Sequence, residues 1–380
     1  MAGKKKKTDD SDADDRTEDE IRSEALAALF KGANKNFGAG TLMYSDDEKL
    51  IQPPRISTGI LPLDYALGGG IPVGRISLFF GHKSTAKTTN ILRTLGNAQK
   101  MCSSCWTSLS LKSDGGSCEC GQKRQTIILW LDVEGVWDPA WSANFMTLDE
   151  TVIISQPGSA EQAIDLAHAA LKSHVDIIVI DSIAFLAPQT EQDRSSSEDT
   201  MALQARLMGK AIRKFVATTN ELGKDGRRPT IILTNQIRSK VGLVFGDPTT
   251  VPGGFAAGFA TSVEIKTSSG KYEMDDVTGQ PLSVANSAKV VKNKTAKPNM
   301  EASWEVCMMK SSVKDLGGIM DESWAFDMGE KAGLVKVAPQ KIEWNSHTFR
   351  GRSLLEKYWM ENREEYSMFR NQLMPIVLAI

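Results

Sequence analysis

Short apolar segments alternate with amphipathic helical segments along the first two thirds of the 380-residue chain. Three stretches have apolar residues at helical spacing, namely Lys87–Lys100, Ala160–Lys172 and Thr200–Leu222. The apolar runs around them predict strands at Arg75–Phe80, Thr126–Asp132, Val152–Ser155, Val175–Asp181 and Thr230–Asn235. This alternation predicts an α/β fold, with a mainly parallel sheet flanked by helices on both faces.

The pattern differs at both ends of the chain. Residues 1–24 combine a lysine run with an acidic block and predict a disordered charged tail. Residues 25–56 are expected to form an N-terminal helix and the segment after it, and residues 57–312 a core. Three later strands, at Val263–Lys266, Lys289–Lys292 and Trp304–Met308, are expected to be antiparallel additions to that core. Residues 313–380 predict a small C-terminal lobe of short helices.

Composition is that of a soluble globular protein, with 41% hydrophobic and 24% charged residues. The formal net charge of -2 gives no overall attraction to nucleic acid, so DNA binding would need a local basic surface. No apolar run approaches the length of a membrane span, and the amino-terminal stretch does not have the pattern of a signal peptide. We therefore expect a cytoplasmic protein without membrane contact.

A candidate phosphate-binding loop follows the first predicted strand, in the stretch GHKSTAKTTN. It fits the pattern G-x-x-x-x-G-K-[ST], except that Ala86 occupies the second glycine position. In such loops backbone amides surround the phosphates, the lysine neutralises charge, and the hydroxyl binds Mg2+. The residues predicted to bind nucleotide here are Gly81, His82, Lys83, Ser84, Thr85, Ala86, Lys87, Thr88 and Thr89. Alanine fits if residue 86 is right-handed helical, and it is strained if φ there is positive.

Polar residues follow three further strands of the predicted sheet. Asp181 ends one strand and is suited to support Mg2+, although it could equally cap the next helix. Glu134, just past another strand, is suited to polarise an attacking water, and the Gln236 amide could contact the γ-phosphate. Ligands of α/β sheets bind at the carboxyl ends of the strands, so these side chains predict one site together with the loop.

Residues 101–124 contain four of the five cysteines, in two close pairs. We call this set the four-cysteine cluster: Cys102, Cys105, Cys118 and Cys120. The spacing favours a structural Zn2+ ion over free thiols or a redox pair. Nearby, Trp106, Lys112, Lys123 and Arg124 leave two interpretations open, a stabilised surface loop or a contact with DNA or another subunit.

Arg206, Lys210 and Arg213 recur at helical spacing on one face of the helix predicted at Thr200–Leu222. By itself, such a stripe is more often a solvated face than a binding surface.

Several motifs resemble the bacterial RecA recombinase family and occur in the same order over residues 25–300. They are NKNFGAGTLM, ISTGILPLDYALGGGIPVGRI, DVEGVWDP, VDIIVIDSIAFLAP, NQIRSKVGLVFGDP and VVKNKTAKP. The stretch WAFDMGEKAGLVK resembles the start of the family's C-terminal lobe, and the divergent form is similar to recombinases of large phages. The four-cysteine cluster is inserted where the family usually continues directly to the next strand.

The resemblance implies a DNA-dependent ATPase that forms helical filaments on single-stranded DNA and exchanges strands with double-stranded DNA. It implies that Lys87 and Thr88 bind phosphates and Mg2+, that Asp181 supports the metal, and that Glu134 is catalytic. Asp138 and Trp141 match the residues that flank adenine.

The resemblance also implies contacts beyond one subunit. Gln236 corresponds to the residue that links ATP to the second DNA-binding loop, Ile237–Gly254, in which Lys240, Phe245, Gly253 and Gly254 are candidate DNA contacts. The first loop corresponds to Gln189–Asp199, and Arg206 and Arg213 match family DNA contacts, which favours a binding role for the basic helix face. Lys292 and Lys294 match lysines that reach the neighbour's ATP, so ATP is expected to lie between subunits. Residues 25–56 are also expected to contact a neighbouring subunit.

Two other functions remain open at this point. One is a ring helicase or branch-migration ATPase built on the same core. The other is a nucleotide-dependent DNA-binding scaffold in which Ala86 slows ATP hydrolysis.

Overall fold

The computed structural model describes residues 17–45, 52–107, 118, 120–122, 124–186, 199–239, 249–250, 260–310 and 315–379. The chain divides into two units. One comprises Met1–Ile51 with Lys224–Gly226, and the other comprises Gln52–Gly223 with Arg227–Ile380.

The first unit contains helix α1, Glu18–Phe37. Thr17 and Glu20 form a capping box at its start, in which each side chain accepts a hydrogen bond from the other residue's backbone amide. The helix ends at Gly38, where φ is 89°. Residues 18–24 are therefore helical, and the prediction of a disordered tail is wrong for that part, because composition alone does not register the cap. Residues 1–16 of the predicted tail lie outside the described residues.

The second unit is built on a nine-stranded sheet in the order β13-β12-β11-β10-β3-β7-β6-β4-β5. Six neighbouring strands are parallel: β3 (Ile76–Gly81), β4 (Ile128–Asp132), β5 (Val152–Ser155), β6 (Ile177–Asp181), β7 (Thr230–Gln236) and β10 (Val263–Met274). Antiparallel strands β11 (Pro281–Asn293), β12 (Met300–Cys307) and β13 (Ile319–Met320) complete the sheet. Short strands pair outside it, β1 (Arg55–Ile56) with β2 (Ile71–Pro72) and β8 (Arg238–Ser239) with β9 (Thr249–Thr250).

Helices cover both faces of this sheet. Helix α3 (Lys87–Ala98) and helix α2 (Leu61–Leu67) pack on one face, where Ile91 and Leu95 contribute to a buried cluster. Helices α5 (Ala160–Lys172) and α6 (Asp199–Lys224) cover the other face through residues such as Leu171 and Phe215. The short helix α4 (Pro139–Ser142) follows β4, and a 3-10 turn, Ile183–Phe185, follows β6. The predicted α/β fold is confirmed.

One strand direction differs from expectation. The strand predicted at Val263–Lys266 is parallel to β3 and antiparallel to β11, so it joins the parallel sheet to the antiparallel extension. Its chain continues to Met274, well beyond the apolar run, because the outer half forms an exposed hairpin with β11.

The C-terminal lobe contains a three-stranded sheet that the sequence pattern did not predict. Strands β14 (Val335–Ala338), β15 (Lys341–Trp344) and β16 (His347–Phe349) follow helix α7 (Glu322–Lys331). Helices α8 (Arg352–Glu361) and α9 (Arg363–Ala379) close a core that contains Trp344, Trp359 and Phe369. Within the described part of the chain, no helix combines the length and apolar character needed to span a membrane.

Candidate functional site

A cleft of about 450 Å³ opens beside the loop between β3 and α3, at the carboxyl ends of the parallel strands. Strand register places these ends side by side, with Gly81 opposite Gln236 and Asp132 opposite Asp181. Most of the predicted nucleotide site lines this one cleft, namely Lys83, Ser84, Thr85, Ala86, Lys87, Thr88, Thr89, Glu134, Trp141, Asp181 and Gln236.

The loop folds around the Lys87 ammonium group. Its Nζ donates hydrogen bonds to the carbonyl oxygens of His82, at 2.7 Å, and Gly81, at 3.3 Å. Burial lowers the pKa of Lys87, and the nearby Asp181 and Glu134 carboxylates partly offset that effect. Gly81 has no room for a side chain, because a Cβ atom there would lie 2.4 Å from the Thr267 carbonyl oxygen. Gly81 and His82 thus shape the loop without lining the cleft.

Ala86 stands at the N-terminus of α3 with φ 58° and ψ 21°, in the left-handed region. Glycine adopts this conformation freely, whereas a Cβ atom makes it costly. Residue 86 therefore has the positive φ at which alanine is strained, and not the right-handed helical conformation that alanine fits. Ser84 also has a φ of 58°.

A carboxylate and a hydroxyl meet next to the loop. Thr88 Oγ1 donates to Asp181 Oδ2 at 2.8 Å, and Thr234 donates to the other carboxylate oxygen. Burial raises the pKa of Asp181, against the effect of these two hydrogen bonds and of Lys87. Hard oxygen donors in this arrangement fit the coordination preference of Mg2+.

Glu134 is held by two side chains from other strand ends. Its Oε1 accepts a hydrogen bond from Ser182 Oγ at 2.7 Å and another from Gln236 Nε2 at 2.8 Å. The loop that carries Glu134 is fixed by Asp132, whose carboxylate accepts from the backbone amides of Val136 and Trp137. The carboxylate and the amide are thus in direct contact across three strands.

The opposite wall of the cleft was not predicted from the sequence. It comes from the β10–β11 hairpin and the end of β12, through Ser269, Tyr272, Asn286, Val306 and Met308. On the near side, the Trp141 ring packs edge-on against Phe145, with centroids 5.2 Å apart. Asp138 does not line the cleft; it caps α4 by accepting a hydrogen bond from the Trp141 amide at 3.0 Å.

Helix α6 presents the predicted basic face to solvent. Arg206, Lys210 and Arg213 are exposed, whereas Met208 and Phe215 are buried against the sheet. Four of the predicted DNA contacts, Lys240, Phe245, Gly253 and Gly254, lie outside the described residues, as does most of the first predicted DNA-binding loop.

The two lysines expected to reach a neighbour's ATP do not line the cleft of their own chain. Lys292 is in β11, with its Nζ 3.7 Å from Glu264 Oε1. The Lys294 amide, just beyond that strand, donates to the Ser262 carbonyl oxygen at 2.9 Å.

The sulfur atoms of the four-cysteine cluster all lie within 4.8 Å of one another. The cysteines are free of disulfides. Burial raises the pKa of the Cys102 thiol. Hydrogen bonds from backbone amides, with that of Arg124 foremost, outweigh this effect and lower the pKa to about 6.

A strand, a phosphate-binding loop and a helix that begins with lysine and threonine, with an acid at the end of another strand of the same sheet, define a P-loop nucleotide-binding protein of the α/β class. The family model described as the RecA N-terminal domain matches residues 24–111 and 102–313. The chain belongs to the RecA family.

Three similar relatives are each named Protein RecA. The one from Parvibaculum lavamentivorans is 33% identical over 353 residues, covering 91% of this chain and 86% of the relative. The one from Fusobacterium nucleatum is 35% identical over 88% of this chain and 80% of its own length. The one from Agrobacterium fabrum is 33% identical over 90% of this chain and 85% of its own length.

Membership confirms the function expected from the motifs. The chain is an ATP-dependent homologous recombination protein that binds single- and double-stranded DNA, forms filaments and exchanges strands. The family is one of DNA-dependent ATPases. The ring-helicase and scaffold alternatives are not favoured.

Proposed function

We propose that this chain binds ATP and Mg2+ in the cleft beside the loop, and that hydrolysis there turns over its filaments on DNA. The observation that carries the proposal is the convergence of Lys87, Glu134, Asp181 and Gln236, from four strand ends, on one cleft. The proposal includes a cytoplasmic location, where the DNA substrate of a bacterial or phage recombinase would be found.

The roles within the cleft follow from the contacts. The loop amides and Lys87 would hold the β- and γ-phosphates, and Thr88 and Asp181 would hold Mg2+, which neutralises charge on the transferring phosphoryl group. Glu134 would orient and deprotonate the attacking water. Its two hydrogen-bond donors keep the carboxylate at one position, so the water would be activated only where the loop presents the γ-phosphate.

Gln236 would connect the nucleotide to DNA. It donates to Glu134 and stands immediately before the segment that contains β8 and β9, the predicted second DNA-binding loop. A γ-phosphate that competes for the Gln236 amide would shift the start of that loop. DNA bound there would in turn shift the Glu134 carboxylate, which makes nucleotide and DNA affinity reciprocal.

Adenine would stack on Trp141, whose indole lines the cleft next to the capped helix α4, with Asp138 holding that helix in place. Lys292 and Lys294 would serve the ATP of the adjacent subunit rather than their own. ATP would then lie between subunits, and the assembly of the filament would depend on nucleotide.

Ala86 is expected to affect the rate of ATP hydrolysis rather than the binding of ATP. Left-handed backbone at an alanine costs about 1–2 kcal/mol. A loop that relaxes toward right-handed geometry would misalign its amides with the phosphates, so we propose that hydrolysis is slower than a glycine would allow.

The proposed cofactor set also includes Zn2+, bound by the four-cysteine cluster.

The test compares the wild-type chain with Glu134→Gln, which keeps the shape of the side chain and removes the base. ATP hydrolysis is measured with and without single-stranded DNA, and the same samples are imaged. We expect DNA-stimulated hydrolysis and helical filaments for wild type, and at least a ~100-fold loss of hydrolysis with filaments retained for the variant. Glu150→Gln, the same change at an exposed glutamate outside the cleft, is the control. Ring-shaped particles, or unchanged hydrolysis in Glu134→Gln, would refute the proposal.

A further inference from the structure

The four-cysteine cluster lies away from the nucleotide cleft, at the other end of the P-loop helix. Helix α3 begins at Lys87 in the loop and has 12 residues, which makes it about 18 Å long. Cys102 follows its last turn closely. We propose that the cluster binds one structural zinc ion, and that this ion fastens the far end of α3 to the starts of β4 and β6.

The sulfur positions fit a tetrahedral site. Four thiolates at 2.3 Å from zinc lie about 3.8 Å from one another. Cys102 and Cys120 have their sulfurs 3.7 Å apart, and Cys118 lies 3.0 Å from Cys105 and 3.2 Å from Cys120. These separations are too long for disulfides. The remaining sulfur pairs lie within 4.8 Å of one another, so a small rearrangement brings all four to tetrahedral spacing.

A cation also explains why four sulfurs are gathered at one point. Thiolates this close repel one another unless a positive charge lies between them. Four protein ligands fill a tetrahedral zinc ion and leave no position for water, which is the pattern of structural rather than catalytic zinc.

The backbone next to the cluster joins the end of α3 to the start of β4. The Ser103 amide donates to the Arg124 carbonyl oxygen at 3.0 Å, and Ser103 Oγ donates to the Gln125 carbonyl oxygen at 3.1 Å. Thr126 Oγ1 reaches back to the Ala98 carbonyl oxygen at 3.1 Å. The ion would hold the end of α3 and the segment before β4 together through the cysteines on either side of this junction.

A second set of contacts extends the junction to β6. The Arg124 guanidinium donates to Asp176 Oδ1 at 3.2 Å and to the His174 carbonyl oxygen at 3.1 Å. Asp176 accepts the Ile127 amide on its other oxygen at 2.9 Å. Since the Arg124 amide also points at Cys102 Sγ, at 3.5 Å, one residue connects a zinc ligand to two strands.

These contacts favour a stabilised surface loop over a contact with DNA or another subunit. Trp106 is 6% exposed and belongs to the main core cluster, and the Arg124 guanidinium is paired with Asp176, so both side chains make structural contacts within this chain. Lys112 and Lys123 lie outside the described residues. The match to the family model comes in two parts, residues 24–111 and 102–313, which overlap at the first two cysteines of the cluster. On this proposal the four-cysteine cluster is a structural clamp.

Metal content of the full-length protein tests the site without reference to ATP or DNA. We expect about one zinc per chain after dialysis, and intense visible absorption of tetrahedral thiolate when Co2+ replaces zinc. Cys105→Ser should lower zinc at least ~5-fold, because three ligands hold the ion far more weakly than four. Cys307→Ser removes the buried cysteine outside the cluster and should leave the zinc content unchanged.

Thermal unfolding tests the clamp. Cys105→Ser should lower Tm by about 5 °C or more relative to Cys307→Ser, while the KM for ATP measured below the melting range stays within about twofold. If Cys105→Ser is insoluble, displacement of zinc from wild-type thiols by a mercurial, followed with a zinc-sensitive dye, replaces the variant. Substoichiometric zinc in wild type, a disulfide within the cluster, or equal zinc in both variants would overturn the proposal. Failure of the ATPase test would leave these readouts intact.

Discussion

At the scale of single residues, Ala86 has the backbone conformation of a glycine. Its φ of 58° places the Cβ atom in conflict with its own backbone. Ala86→Gly removes that strain, but glycine also loses more conformational freedom on folding, so the net gain is about 0.5–1 kcal/mol in the free energy of unfolding. Urea denaturation measures it, and we also expect faster ATP turnover.

The matched control is Ala143→Gly, an exposed alanine that follows helix α4 with a right-handed φ of -62°. There the substitution relieves nothing and should cost a few tenths to about 1 kcal/mol. Equal losses at both positions would show that residue 86 is not strained.

The cleft residues differ in whether the neighbouring sequence is enough to predict them. Lys87 and Thr88 follow a strand in a recognisable loop, so their position is readable from the sequence. The angle at Ala86 is not, because a residue type does not specify its φ. Thr234 and Asp132 were missed, since each lies within or at the end of a buried strand and only the register shows what it contacts.

At the scale of elements, helix α6 has one face buried against the sheet and one exposed basic face. Replacing Arg206 and Arg213 by alanine should weaken single-stranded DNA binding and lower the slope of log K against log salt by about 0.7 for each phosphate that is no longer neutralised. Both are exposed, so stability should change little. Fluorescence anisotropy at several salt concentrations gives the slope.

Lys214→Ala is the control for this helix. Lys214 is also exposed, but its Nζ lies 3.9 Å from Asp165 on the neighbouring helix α5. Its removal should leave the salt slope unchanged. If the double arginine variant leaves the salt slope unchanged, the basic face of helix α6 is a solvated surface and does not bind DNA.

The elements most readily predicted have one buried side and a clear period. Ala160–Lys172 was predicted with its observed bounds for this reason. The outer part of the β10–β11 hairpin is exposed, as at Tyr272 and Val277, and therefore carries no alternating apolar pattern. The sheet of the C-terminal lobe escaped prediction because its strands are short and only Val335, Ile342 and Trp344 are buried in them.

At the scale of the whole molecule, Asp321 joins the C-terminal lobe to the core within the second unit. The residue is buried, with 2% of its surface exposed. One of its carboxylate oxygens accepts from Tyr366 Oη at 2.8 Å, and the other accepts the Leu61 amide at 3.1 Å. Arg370 Nη2 lies 3.7 Å from the latter oxygen and donates to the Gly59 carbonyl oxygen at 3.1 Å. The lobe is therefore attached through a charged group in the interior.

Asp321→Asn keeps the size of this side chain and removes its charge. The Arg370 guanidinium then loses the negative charge of this buried partner, and the new NH2 group can avoid the Leu61 amide only if Tyr366 Oη accepts instead of donating, so we expect a loss of about 3 kcal/mol in the free energy of unfolding. Asp327→Asn, in the same lobe, disturbs only a half-exposed pair with Arg352 and should cost at most about 1 kcal/mol. Urea unfolding followed by tryptophan fluorescence should show one transition for the second unit in wild type, shifted to lower urea in Asp321→Asn. A separate early transition of the lobe, unaffected by Asp321→Asn, would mean that the lobe folds independently of the core.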